Sequence, residues 1–136
     1  MADLSRIFEV EIITPDRVFH KGEATMIEFN TAAGEIGVYK NHIPLTTVLA
    51  PGVVTIHRDG EDNVIAAVHS GFAEILPEKV TLLAEVAEWP DEIDVGRAEA
   101  AMKRAEERLA HRTESVDVMR AELALRRALV RIDIAK

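Results

Sequence analysis

Helix-breaking residues are confined to the first part of this 136-residue chain. All five prolines and six of the seven glycines lie at or before Pro90, and Gly96 alone follows it. Charge divides at the same place, because residues 1–90 contain six basic and 14 acidic side chains whereas residues 91–136 contain ten of each. The later segment is rich in Ala, Glu, Arg and Leu, which favour helices. We therefore predict two units, residues 1–89 rich in strands and residues 90–136 helical.

Short β-branched runs separated by turns are typical of the first unit. Strands are predicted at residues 8–12, 25–29, 53–56, 64–68, 72–76 and 80–86. Glycine or proline marks the turns between them, as at Pro51-Gly52 and around Pro77. This pattern predicts an antiparallel β-sandwich or flattened barrel. Together with the helical unit, it places the chain in the α+β class, mainly β and then α.

An antiparallel two-helix hairpin is predicted for the second unit. Asp94 is expected to cap a first helix that runs to about His111, and either Ser115 or Asp117 a second that runs to the end. The apolar residues at helical spacing are Val95, Ala98, Ala101, Met102, Ala105 and Leu109, then Val116, Met119, Leu123, Val130 and Ile134. Alanine buries little area, and two helices lack a complete core. We expect the hairpin to dock on another surface, and in more than one way.

Composition and missing motifs exclude several classes of protein. Without cysteine there is no disulfide framework or thiolate site, and the five histidines lack ligand spacing, so no metal site is predicted. Nucleophile elbows, phosphate-binding loops and dinucleotide fingerprints are absent, so no catalytic residue is assigned. The net charge of -8 disfavours nucleic acid as a partner. The longest apolar run, Val64–Val68, is too short to span a bilayer, and we expect a soluble, cytoplasmic chain.

Arginines recur at the same spacing on both predicted helices. The residues are Arg97, Arg104 and Arg108 on the first helix and Arg120, Arg127 and Arg131 on the second. One interpretation is two solvated faces, paired with glutamates of the same helices. The other is an anion site where the two faces meet, because guanidinium groups make forked contacts with phosphate. The spacing alone leaves both interpretations open.

Four short segments of the first unit, in two pairs, resemble a known family. Residues 34–38, Gly-Glu-Ile-Gly-Val, and residues 41–45, Asn-His-Ile-Pro-Leu, resemble a signature of the epsilon subunits of bacterial F-type ATP synthases. Residues 70–75, Ser-Gly-Phe-Ala-Glu-Ile, and residues 80–84, Val-Thr-Leu-Leu-Ala, resemble that family near the end of its sandwich. The resemblance covers nearly the whole chain in order, and the family's architecture agrees with the two predicted units.

The resemblance implies a non-catalytic subunit of the rotor. Its sandwich would bind the gamma subunit and the membrane c-ring, and its hairpin would fold against the sandwich or extend toward the catalytic alpha and beta subunits and block ATP hydrolysis. The chain would then be a peripheral protein at the cytoplasmic face of the bacterial membrane. By resemblance, Gly34, Glu35 and His42 would share a loop near the rotor interface. The alternative is that these glycines, with Pro44, simply make turns.

Some members of that family bind ATP on the folded hairpin, and this chain carries their motif. Residues 93–98, Ile-Asp-Val-Gly-Arg-Ala, match the motif Ile/Leu-Asp-x-x-Arg-Ala. The resemblance implies ATP as a regulatory ligand, with no other cofactor, at these residues: Glu88, Asp94, Arg97, Ala98, Arg104, Arg127 and Arg131. Gly96 departs from the bulkier residue common inside the motif and is expected to loosen the site. Trp89 is expected to lie beside the site.

Two other functions remain open on the residues alone. One is a free-standing module that binds nucleic acid or another polyanion, against which the acidic charge and scarce aromatics count. The other is a small hydrolase, for which Glu35, His42 and Glu74 are the candidate residues.

Overall fold

Eight strands precede two helices in the computed structural model, which describes residues 4–111 and 117–135. The strands are β1 (Phe8–Thr14), β2 (Arg17–Ala24), β3 (Met26–Thr31), β4 (Gly34–Val38), β5 (Leu45–Leu49), β6 (Gly52–Arg58), β7 (Glu61–Leu76) and β8 (Lys79–Glu88). The helices are α1 (Val95–Ala110) and α2 (Val118–Ala135). Short 3-10 turns span Leu4–Arg6 and Pro90–Glu92. A β-sandwich followed by a helical hairpin confirms the predicted α+β class.

The 16-residue strand β7 organises the sandwich. It pairs with β8 along most of its length, with β6 through its first half and with β5 through its second half. Because β5 and β6 both also pair with β3, the strands β3, β5, β6 and β7 close into a flattened ring. The strands β1 and β2 extend the sheet beyond β8. One pairing departs from the predicted antiparallel arrangement: β1 runs parallel to β8.

A backbone irregularity at Ser70-Gly71 divides β7 into its two halves. Both residues have positive φ angles, 57° and 129°. A Cβ at Gly71 would collide with the backbone carbonyl of Leu83 on β8, so no larger residue fits there. Before the irregularity Ala66 and Val68 face the core, and after it Ala73 and Ile75 do. The single strand therefore serves two layers, and the two strands predicted at 64–68 and 72–76 are one.

The core lies between the sandwich layers and is built from alternating strand positions. In β1, every second residue from Phe8 to Thr14 is buried, as a strand with one covered face requires. The largest fully buried side chains are Phe29, Ile12, Ile27, Ile56, Ile75 and Leu82. Each such side chain contributes roughly 1.5–3 kcal/mol when it is withdrawn from water. Burial of these aliphatic groups replaces the disulfides that the chain lacks.

Three strands of the structure are absent from the predicted set. They are β2 (Arg17–Ala24), β4 (Gly34–Val38) and β5 (Leu45–Leu49). Their sequences contain charged residues or glycines, and their outer faces are largely exposed, so the alternation is weak. Pairing with neighbouring strands determines their conformation more than local propensity does.

Both predicted caps that fall in the described residues are present. The side chain of Asp94 accepts a hydrogen bond from the backbone N–H of Arg97 at 3.1 Å and begins α1. Asp117 accepts one from the backbone N–H of Arg120 at 3.0 Å and begins α2. The alternative cap Ser115 and the apolar residue Val116 lie outside the described residues. Neither helix in the described part of the chain is long and apolar enough to cross a membrane.

Alanines form the buried seam of the hairpin. Ala98 and Ala105 on α1, and Ala121 and Ala128 on α2, are each at most 4% exposed. Of the residues predicted at helical spacing, Ala98 and Ala105 are buried, whereas Val95 on α1 is 39% exposed and Met119 on α2 is 81% exposed. Small side chains let two helices approach closely, so the alanine faces meet and the larger side chains lie at the edge of the seam. The hairpin then lies against β6 and β7, which it contacts mainly through α2.

Candidate nucleotide site between hairpin and sandwich

A cleft of about 350 Å³ lies where α1, α2 and the end of β8 meet. Its lining comprises Glu88, Glu92, Ile93, Asp94, Arg97, Ala98, Ala101, Arg104 and Arg131. Six of the seven residues that the resemblance implied for ATP are therefore together in one cleft. The seventh, Arg127, is not among the lining residues. The volume falls within the roughly 300–1,000 Å³ typical of small-molecule sites.

Helix α1 supplies one wall of the cleft. Arg97, Ala101 and Arg104 are spaced four and three residues apart, so they share one face of the helix. The cap at Asp94 fixes where the helix begins and therefore where this face points. Its role in the structure is that of a cap. Ile93, Ala98 and Ala101 add an apolar portion to a lining that is otherwise charged.

Two arginines of the cleft are available to a ligand. Arg97 and Arg104 are exposed, and neither forms an ion pair with any residue that the structure describes. The described parts of the two helices also contain no ion pair within a helix. The interpretation of the arginines as solvated faces neutralised by glutamates of the same helix therefore finds no support here. An unpaired guanidinium group in a cleft suits a phosphate or carboxylate oxygen.

The third arginine of the cleft is already engaged by the sandwich. Arg131 Nε donates to Glu88 Oε1 at 2.7 Å, and His69 Nε2 lies 3.0 Å from the same oxygen. Because a carboxylate only accepts hydrogen bonds, His69 is assigned the tautomer protonated at Nε2. Glu88 thus joins β7, β8 and α2. Sequence reasoning missed His69, and the signal available was a histidine directly after the apolar run Val64–Val68.

Arg127 holds the hairpin to the sandwich instead of lining the cleft. Its Nη2 donates to Ser70 Oγ at 2.9 Å, and Ser70 lies at the irregularity of β7. The Nε of Arg127 is buried without a hydrogen-bond partner among the described residues. Arg127 and Arg131 of α2 therefore contact adjacent strands, one at Ser70 and the other at Glu88. Spacing along a helix did not indicate these contacts, because Ser70 and Arg127 are 57 residues apart.

The linker between the two units is held by a separate cluster. Trp89 stacks on Phe19 with ring centroids 4.1 Å apart, and its side chain is not part of the cleft lining. Its backbone N–H donates to Glu92 Oε1 at 2.9 Å, and Arg17 forms an ion pair with Glu92 at 3.0 Å. The hydrogen bond from Trp89, followed by the contacts with Arg17, lowers the pKa of Glu92. Glu92 is thereby committed to the linker even though it borders the cleft.

The predicted rotor loop is not a single loop. Gly34 and Glu35 begin strand β4, whereas His42 follows the other end of that strand. Hydrogen bonding of β4 to β3 separates them, since Asn30 pairs with Glu35 in the ladder. The expectation that Gly34, Glu35 and His42 share a loop is wrong. Glu35 and Glu74, two of the hydrolase candidates, lie on the non-adjacent strands β4 and β7.

Solved structures share this fold at low sequence identity. A chain of the mitochondrial ATP synthase of Euglena gracilis, solved as OSCP/F1/c-ring, superposes with a TM-score of 0.80 at 22% identity, covering 94% of this chain and 80% of that one. A chain of the central stalk/c-ring of the Tetrahymena thermophila enzyme superposes with a TM-score of 0.61 at 12% identity, covering 95% and 96%. At these identities the likeness shows the fold alone.

Sequence relatives are much closer. The chain is 50% identical over 127 residues to the ATP synthase epsilon chain of Brevibacillus brevis, covering 93% of this chain and 96% of the relative. It is 43% identical over 133 residues to that of Caldanaerobacter subterraneus, covering 97% and 96%. Residues 7–90 match the family described as ATP synthase, Delta/Epsilon chain, beta-sandwich domain, and residues 91–136 match its long alpha-helix domain. The chain therefore belongs to the family of ATP synthase epsilon chains, subunits of the synthase that are not enzymes in themselves.

Proposed function

We propose that this central-stalk subunit inhibits ATP hydrolysis by extending its hairpin and that ATP, bound in the cleft, holds the hairpin on the sandwich. The observation that carries the proposal is the cleft itself, where Arg97 and Arg104 stand unpaired opposite groups of the sandwich. A ligand there contacts both units simultaneously. It therefore stabilises the docked hairpin and has no equivalent site on the extended one.

The docked hairpin is suited to reversible release. It contacts the sandwich mainly through α2, and its described polar links to the sandwich are few. Two arrangements of such an element need differ by only a few kcal/mol. A ligand at a hundredfold excess over its Kd adds about 2.7 kcal/mol to the state that binds it. That contribution is enough to move a balanced switch almost completely to the docked arrangement.

The chemistry of the lining fits a nucleoside triphosphate. Arg97 and Arg104 offer forked donors to the phosphates, while Ile93 and Ala101 offer an apolar surface to a base. Glu88 Oε1 already accepts from Arg131 and His69, so the second carboxylate oxygen is the one left for an adenine amino group. No other cofactor is needed for this role.

Calorimetric titration of the full chain with ATP tests the proposal. The expected result is saturable binding that weakens about 10- to 100-fold in Arg97→Ala and in Arg104→Ala, because each lost charge-assisted hydrogen bond is worth roughly 1.5–3 kcal/mol. Arg126→Ala is the matched control, since Arg126 is exposed on α2 and is not part of the cleft lining. Equal affinity in all four proteins, or no binding at millimolar ATP, would contradict the nucleotide site. Calorimetry is preferred to Trp89 fluorescence because Trp89 stacks away from the cleft.

The sandwich also carries a surface suited to a stalk partner, and we propose that it binds the gamma subunit. Five apolar residues on five adjacent strands are direct neighbours in the ladder, in the order Val48, Phe72, Leu83, Ile13 and Val18. We call them the apolar row. Phe72 is 54% exposed and Val18 57% exposed while the hairpin is docked. A partner and the docked hairpin are therefore compatible.

The remaining contacts follow from this assignment. We propose that the membrane c-ring lies beside the sandwich, that the extended hairpin reaches the catalytic alpha and beta subunits, and that the subunit is peripheral at the cytoplasmic face of the bacterial membrane. Membership in the family of ATP synthase epsilon chains supports this arrangement. Hydrolysis by the reconstituted complex, measured with and without the full chain at low and high ATP, tests the inhibitory role. Equal rates in all conditions would contradict it.

A further inference from the structure

His69 is a buried titratable group that nucleotide binding does not require. Its side chain is 1% exposed, yet it faces away from the core, because the neighbouring core-facing residue of β7 is Val68. Ala67, two residues before it on the same face, is also completely buried. Helix α2 lies against this part of the sheet. His69 is therefore covered by the docked hairpin and not by the sandwich core.

The charges around His69 are unbalanced. Among the described residues, the groups that act on its imidazole are Glu88 from β8 and Arg131 and Arg127 from α2. With neutral His69, one carboxylate faces two guanidinium groups. A proton on His69 would make three cations around one carboxylate, in a place with little water. Its Nδ1, where the added proton would bind, has no hydrogen-bond partner among the described residues. The N–H formed there would therefore lack an acceptor.

We propose that His69 is a proton-sensitive latch, whose neutral form allows Arg127 and Arg131 of α2 to lie nearby and whose protonated form favours release of the hairpin. The proposal rests on the mobile hairpin of the proposed function, but it does not depend on nucleotide. When α2 leaves, both arginines leave with it. Protonated His69 and Glu88 then form a balanced pair that is open to solvent.

The sign of the pH effect follows from burial and charge. Burial lowers the pKa of His69, the nearby Arg131 lowers it further, and these effects outweigh the contribution of Glu88, which raises it. Undocking removes the first two causes and leaves Glu88. The released state therefore binds the proton more tightly, and the docking constant falls as the pH drops below the usual histidine value of 6.5. One proton exchanged limits the change to about tenfold per pH unit.

The natural absence of cysteine makes the hairpin straightforward to follow. We would introduce Asp59→Cys at the β6–β7 turn and Glu122→Cys on α2, both exposed positions, and attach a fluorescence energy-transfer pair to the full chain. Energy transfer is then measured from pH 8 to pH 5 without nucleotide. The expected result is a loss of the docked signal with acid. In His69→Gln, whose side chain retains a donor toward Glu88 but cannot gain a charge, the signal should no longer respond to pH.

His57→Gln is the matched control. His57 also pairs with a glutamate, Glu28, on strands β6 and β3, and no described residue of the hairpin takes part in that pair. This variant should retain the acid response of the parent. A response that persists unchanged in His69→Gln, or that disappears in His57→Gln, would overturn the latch while leaving a mobile hairpin intact. A docked signal that does not change with pH in the parent would overturn the latch. If ATP also leaves the energy transfer of any molecules with an extended hairpin unchanged, the mobile hairpin of the proposed function is overturned as well.

Nuclear magnetic resonance of the unlabelled parent chain provides a second readout that does not require a stable variant. The ring resonance of His69 is titrated in the presence and absence of ATP. In ATP, which holds the hairpin down, its pKa should be lower than in the absence of ATP. An equal or higher pKa of His69 in ATP would contradict the latch.

Discussion

At the scale of single residues, Glu88 connects three elements, β7, β8 and α2. One of its oxygens accepts from both His69 and Arg131, and its strand ends where the linker begins. The family motif placed Glu88 at a nucleotide, but its contact with a buried histidine depends on the pairing of β7 with β8. A residue chosen for its type therefore acquires a second role from its neighbours.

Gly96 provides a test at the same scale. A Cβ at this position would lie 3.5 Å from Asp94 Oδ1, which is an ordinary contact, so a larger residue fits in the first turn of α1. We expect Gly96→Ala to stabilise the hairpin by about 1 kcal/mol, because glycine is the weaker helix former. Urea unfolding followed by helix circular dichroism, together with ATP titration, would measure the effect. A lower midpoint than the parent would show that glycine is needed for close approach and not merely tolerated.

At the scale of elements, the docking of α2 depends on an unusual backbone. Ser70 has a φ of 57°, a region that L-residues other than Asn and Asp seldom adopt, yet its hydroxyl is the acceptor for Arg127. The contact between helix and sheet thus costs some local strain in β7. Glycine, which adopts this backbone without strain, could not make the contact.

Ser70→Gly separates these two effects. Glycine adopts a positive φ without strain, so we expect the thermal midpoint of the sandwich to rise or stay level. The lost hydrogen bond leaves the guanidinium of Arg127 short of an acceptor, so docking of the hairpin should weaken by roughly 1–3 kcal/mol. Energy transfer between labels on the sandwich and α2 measures docking, and calorimetric melting measures the sandwich. An unchanged docking signal would show that Arg127 contributes little to holding the hairpin.

The element scale is also where sequence patterns failed most clearly. The apolar residues named at helical spacing on α2 include Met119, but Ala121 and Ala128 form the seam. Periodicity identifies a face that recurs at helical spacing, and α2 has more than one such face. Packing against the alanines of α1 selects the face of α2 that carries small side chains.

At the scale of the whole molecule, the apolar row tests how the sandwich meets the rotor. We expect Phe72→Glu to abolish binding of the purified chain to the gamma subunit, because it places a charge between Val48 and Leu83 within the apolar row. Ile65→Glu is the control, since Ile65 is similarly exposed on the same strand but lies outside the row. Surface immobilisation of the gamma subunit gives the affinities. Equal losses in the two variants would indicate general destabilisation, and an unchanged affinity in Phe72→Glu would exclude the row as the interface.

The amino-acid sequence alone determined the fold class, both helix caps within the described residues and the family. These depend on local propensity, on periodicity and on motifs of a few residues. The family resemblance also named six residues that lie together in the cleft. Tertiary structure alone decided that Arg127 binds Ser70, that Gly34 and His42 lie at opposite ends of a strand, and that His69 is buried beneath α2. Those facts depend on strand register and on contacts between distant segments, which no short window of sequence contains.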